Sequence, residues 1–146
     1  MSHVVEISVE CRDLDCLEEA CGQLGLTLSR GQKRYRWYGQ FVGDAPLPTG
    51  FTKAELGQCD HAVVIPGDDK AYQVGVVRRR DGKEGFTFLL DEWNGGYGLV
   101  DKIGQGGSKL LQEYSIAVAA KQARRQGMSV QRKLLQDGRV QLVCRR

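Results

Sequence analysis

The stretch 108–146, SKLLQEYSIAVAAKQARRQGMSVQRKLLQDGRVQLVCRR, states its structure more plainly than any other part of the chain. Leu111, Tyr114, Ala117 and Val118 recur at helical spacing, while Gln112, Glu113, Lys121, Gln122 and Arg125 fall mostly on the other side. The spacing predicts a helix from Lys109 to Gln126, stopped at Gly127. A hairpin follows: Val130 to Leu135, a turn at Asp137-Gly138, then Arg139 to Cys144, with Val140, Leu142 and Cys144 on one face. The apolar faces of this helix and hairpin are expected to cover a sheet begun earlier in the chain. The stretch is also the most basic: from Lys121 to the end, Lys121, Arg124, Arg125, Arg132, Lys133, Arg139, Arg145 and Arg146 stand against one acid, Asp137.

That sheet begins near the N-terminus. Val5, Ile7, Val9 and Cys11 alternate with Glu6, Ser8 and Glu10, the period of a strand with one buried face. Asp13 is placed to cap a helix, because its carboxylate accepts from amides that the first turn leaves unpaired. Leu14, Leu17, Cys21 and Leu24 form its stripe, and Gly25 ends it. A second strand starts at Leu26 and Leu28. Pro46, Pro48 and the glycines at 43 and 50 mark a loop, and Thr52 with Glu55 has capping-box spacing. Strands are expected at Ala62–Ile65, Tyr72–Arg79 and Phe86–Leu90, the last two joined through Asp81-Gly82. The glycine-rich run up to Gly107 reads as a flexible connector. Its Gly104-Gln-Gly-Gly-Ser-Lys109 segment lacks the spacing of a phosphate loop.

The order predicts one α+β domain over residues 1–146. It is a mainly antiparallel sheet with two helices packed on one face, a ferredoxin-like core elaborated by the middle hairpins. A chain of 146 residues supports a core of its own without disulfides. Its five cysteines at scattered spacing read as reduced thiols, and no apolar run reaches the roughly 20 residues of a membrane span. With no signal-peptide pattern, the expectation is a cytoplasmic protein with no membrane association.

Several segments together resemble one family. Met1-Ser2-His3, the first strand-helix unit, Tyr35-Arg36-Trp37-Tyr38-Gly39, Cys59-Asp60-His61-Ala62 and the closing Arg125-Gln126-Gly127, Asp137-Gly138 and Val143 are similar to the domain of unknown function 1257. That family includes the hypothetical chloroplast reading frame 35. The resemblance runs along most of the chain and implies a small soluble protein of bacteria, plastids or phages. It implies no reaction.

Three candidate sites follow from the residues. Cys59 and His61, two apart at the start of a strand, are expected on one side, and both are zinc ligands. His3 and one of Cys11, Cys16 or Cys144 would complete a site if their strands are neighbours. The bland reading is a core thiol and an isolated imidazole. The same pair has the residue types of a thiol hydrolase, but adjacent side chains on one strand are not oriented to activate one another. Second, Lys33 to Phe41 interleaves bases and aromatics, the pattern of a nucleic-acid surface using Arg34, Arg36, Trp37 and Tyr38. Its bland reading is an amphipathic strand with Tyr35 and Trp37 in the core. Third, Lys121, Arg124, Arg125, Arg132 and Lys133 are expected to face outward as a partner surface. The acidic start of the chain (Glu6, Glu10, Asp13, Asp15, Glu18, Glu19) stands opposite to them in charge. The sequence therefore points to a non-enzymatic adaptor that docks on a protein partner, with no cofactor beyond the zinc weighed above. Nucleic-acid binding is the alternative, and a metal- or thiol-dependent enzyme at Cys59 and His61 is the second alternative.

Overall fold

The computed structural model describes residues 4–41 and 46–146. The chain opens with β1 (Val4–Cys11), α1 (Leu14–Gln23) and β2 (Thr27–Arg30). It continues with β3 (His61–Val64), β4 (Val74–Arg78) and β5 (Phe86–Asp91). A short helix α2 (Leu99–Ile103) leads to the long helix α3 (Ser108–Arg125), and a hairpin of β6 (Ser129–Leu134) and β7 (Val140–Arg145) closes the chain. The fold is α+β, and no helix among the described residues is long and apolar enough to cross a membrane.

Five strands form one sheet in the order β1-β5-β4-β3-β2, and every neighbouring pair is antiparallel. β1 and β2 are its two edges, so α1 crosses the whole sheet between them. The strand-helix-strand opening matches a ferredoxin-like core. The strand order departs from that core, because three strands rather than one lie between β1 and β2.

Strand alternation sorts the core into two layers. Ile7, Cys11, Leu28, Val63, Val74, Val76, Phe88 and Leu90 face the helices, where Cys16, Leu17, Ala20 and Cys21 of α1 meet Leu110, Tyr114 and Ala117 of α3. Each fully buried Val, Leu, Ile or Phe side chain here contributes about 1.5–3 kcal/mol. Val4, Ala62, Val77 and Leu89 face the other way and are covered by Tyr35, Phe51, Leu56 and Cys59. That second cover has little regular structure. Gly75 in β4 makes room for it, since a Cβ there would strike the Tyr35 ring.

The long helix is tied to the start of α1. The Tyr114 hydroxyl accepts from the backbone N–H groups of Arg12 at 3.0 Å and Asp13 at 3.2 Å. Asp13 caps α1 by accepting from Cys16 N–H at 3.0 Å, and its second oxygen meets Lys121 Nζ at 2.5 Å.

Three expectations need correction. The closing hairpin does not cover the main sheet; it is a separate two-stranded sheet that leans on α3. The helices already fill the sheet face, and only Val130, Val140, Leu142 and Val143 of the hairpin are even half-buried apolar residues within its strands. Lys33 to Phe41 is not a strand: it makes a single bridge, Arg34 to Gln58. Its other backbone bonds go to Gly57, Cys59, Gln73, Gln32 and the Asp91 carboxylate, which peel it off as a covering loop. The glycine-rich run is not a loose connector either. It buries Leu99, Ile103 and Gly107, and a Cβ at Gly107 would lie 2.6 Å from Ile7.

Candidate functional site

The charge contrast of the sequence is largely consumed inside the fold. Lys121 pairs with Asp13, holding that carboxyl down at about 2. Arg30 on β2 binds Asp15 at 2.7 Å and Glu18 at 3.2 Å on α1. Arg132 on β6 grips Glu113, a buried residue of α3, through two hydrogen bonds of 2.6 and 2.7 Å. Lys121 and Arg132 are thus structural cations rather than a free surface.

Arg124, Arg125, Lys133, Arg145 and Arg146 are exposed and form no ion pair among the described residues. Four of them share a corner. Arg124 and Arg125 occupy the last turn of α3, and Gly127 and Met128 alone separate that turn's Gln126 cap from β6. Ser129, the first residue of β6, pairs with Arg145 of β7, so Arg145 and Arg146 lie beside the helix end. Cations there also complement the negative end of the helix dipole.

Cys59 and His61 are not brought together as a reactive pair. The Cys59 thiol packs in the loop-side core and donates to Gln32 O at 3.1 Å, and burial pushes it up to about 12. A thiol so far from its thiolate is a poor nucleophile. His61 Nδ1 accepts from Gly31 N–H at 2.9 Å, and its ring meets Phe86 edge-on at 5.4 Å, toward the other face. Burial lowers its proton affinity. His3 lies outside the described residues. Among those described, no group of three or more His, Cys, Asp or Glu side chains is placed to hold a metal ion.

In the aromatic stretch, Arg34 is exposed, but the Arg36 guanidinium donates to the Ala71 carbonyl at 2.7 Å and the Asp68 carbonyl at 3.4 Å. Trp37 is half-buried against Gly57, where a Cβ would lie 2.7 Å from its indole nitrogen. Only Tyr38 projects, at 47% exposure. It meets Trp93 at 5.5 Å between ring centroids; Trp93 meets Tyr97 at 6.0 Å, and Tyr97 rests on Tyr72 at 5.2 Å. Trp93 and Tyr97 are 39% and 44% exposed, so this strip holds three of the four exposed large hydrophobic side chains among the described residues. Sequence reading missed Trp93 and Tyr97; the glycine spacing of Trp93-Asn-Gly-Gly-Tyr-Gly98 was the available signal. Asp91 sits fully buried beneath, accepting from the backbone N–H groups of Tyr38 and Trp93.

No protein-family model matches the chain, and neither a curated protein nor a solved structure matches it.

Proposed function

We propose that the protein is a non-catalytic adaptor that docks on an acidic surface of a protein partner through the corner formed by Arg124, Arg125, Arg145 and Arg146. The carrying observation is selective pairing. Asp13, Asp15 and Glu18 at the first helix are matched by Lys121 and Arg30, while the cations of this corner have no carboxylate within ion-pair distance among the described residues, although Glu19 lines the same groove as Arg124 and Arg125. Exposed same-sign charge steers and orients a charged partner. Binding is favoured over thiol chemistry because Cys59 and His61 each face a separate partner.

A protein partner is favoured over nucleic acid because the arginine corner and the strip of exposed rings lie far apart. The exposed rings lie near the start of α3, where Glu92 accepts from Gly106 N–H, and the arginines lie at its end. Eighteen helical residues separate the two by about 27 Å. The test is capture from native extract by tagged wild-type protein and by an Arg124→Glu/Arg125→Glu variant, with filter binding of RNA and DNA in parallel. The expected result is a stoichiometric partner that salt and charge reversal release. Capture of no partner by the folded wild type, or retention of nucleic acid that falls steeply with salt, overturns the reading.

A further inference from the structure

His61 stands at a junction far from the arginine corner in the chain. It opens β3 directly across from Arg30, the last residue of the edge strand β2. The chain then turns at Gly31, whose φ of 80° favours glycine, and runs into the covering loop. The Gly31 N–H donates to His61 Nδ1 at 2.9 Å. Next in the turn, the Gln32 carbonyl accepts from the Cys59 thiol at 3.1 Å, and Gln32 Nε2 donates to Arg34 O at 2.7 Å and to Gln73 Oε1 at 3.0 Å. One imidazole nitrogen thus holds the first amide of a turn that also engages the Cys59 thiol.

That bond exists in one protonation state only. An imidazole accepting at Nδ1 is neutral and carries its proton on Nε2, whereas imidazolium has a donor at each nitrogen and no acceptor. Protonation sets a second N–H against that of Gly31. The surroundings also oppose the charge. Arg30 of β2, Lys33 of the covering loop and Arg78 of β4 face the ring as cations, and β5 presents the uncharged ring of Phe86. Only Asp60 favours the imidazolium, and its carboxylate is engaged by the Arg78 N–H at 2.9 Å. Burial first, with the three cations set against Asp60, holds the imidazole below the ordinary histidine value of 6.5. A histidine released from the turn takes up its proton more readily, so falling pH favours the released form. The bond is complete above about 6.5 and is lost progressively as the pH falls below it.

We infer that His61 is a proton-operated latch on the Gly31–Gln32 turn: acid protonates Nδ1, the bond from Gly31 breaks, and the turn joining β2 to the covering loop loosens while the sheet stays intact. The inference does not depend on the adaptor reading. The test is amide hydrogen exchange followed by NMR at pH 7.5 and pH 5.5, corrected for the intrinsic pH dependence of exchange, with the His61 ring titrated in the same samples. In wild type, protection of Gly31 and Gln32 is expected to fall at least about threefold, the share of one net hydrogen bond, in step with the His61 titration. Val76 and Val77 in β4 are expected to keep their protection. His61→Asn places a carbonyl oxygen near the position of Nδ1 and does not titrate, so its Gly31 protection is expected to be the same at both pH values. Unchanged Gly31 protection on titration of His61, an equal fall in His61→Asn, or a fall shared by β4 overturns the inference.

Discussion

Glu113 of α3 and Arg132 of β6 face each other as a two-pronged pair, with Oε2 to Nη1 at 2.7 Å and Oε1 to Nη2 at 2.6 Å. The Glu113 side chain is 10% exposed and the Arg132 side chain 36%, so the contact is enclosed mainly on the helix side. It pins a hairpin whose other residues are mostly exposed. Arg132→Ala leaves a buried carboxylate unmatched and is expected to destabilise hairpin docking by about 1–3 kcal/mol. Replacing both residues by leucine is expected to cost less than Arg132→Ala alone, because no charge is stranded. Hydrogen exchange across residues 129–145 measures the loosening, and equal exchange in wild type and Arg132→Ala would refute it.

The Asp13 carboxyl, held near 2 mainly by Lys121, makes acid stability depend on one helix cap. A depressed folded-state value means that its contribution is complete above the ordinary value of 3.8 and is lost as the pH falls toward about 2. Asparagine still caps a helix but cannot pair with lysine. Asp13→Asn is therefore expected to cost about 1 kcal/mol at pH 5 and progressively less below pH 4, the partial exposure of the pair keeping the figure small. Urea midpoints at pH 5 and pH 3 show the difference; a pH-independent deficit would rule it out.

Thiol reactivity divides the five cysteines. Cys144 is exposed, whereas Cys11, Cys16, Cys21 and Cys59 are buried. Burial pushes those four thiols up to about 11, 11, 12 and 12. Native protein at pH 8 is expected to take up one equivalent of maleimide quickly, at Cys144, and four more only after unfolding. Rapid native labelling at Cys59 would contradict the buried placement of that thiol.

Gly75 permits the loop-side cover to lie flat on β4. A methyl group at that position collides with the Tyr35 ring, which is 3% exposed and has nowhere to retreat. Gly75→Ala is expected to destabilise by about 1–3 kcal/mol, and Tyr35→Ala in the same chain to remove the collision while losing the ring's burial. Thermal melts of the two single variants and the double test this: additive losses would mean that the residues do not touch.

Local patterns carried a good part of this fold. The alternation of Val5, Ile7 and Val9, the cap at Asp13, the stop at Gly25, the long helix ending before Gly127 and the turn at Asp137-Gly138 are decided within a few residues by backbone sterics and apolar period. They therefore read correctly from sequence. The α+β layout with both long helices on one face follows from their order.

What sequence could not decide is which distant segments meet. The five-strand order depends on α1 spanning the whole sheet, and nothing local to β1 or β2 states how many strands intervene. The basic residues looked alike in sequence, yet Lys121 and Arg132 are drawn to acids 108 and 19 residues away, leaving Arg124, Arg125, Arg145 and Arg146 as the exposed corner. Tyr38 and Trp93 are likewise joined only because β1, β5 and the covering loop end together around Asp91. Short-range sterics set elements, whereas charge pairing and ring contacts are set by where those elements pack, and that information is spread over the whole chain.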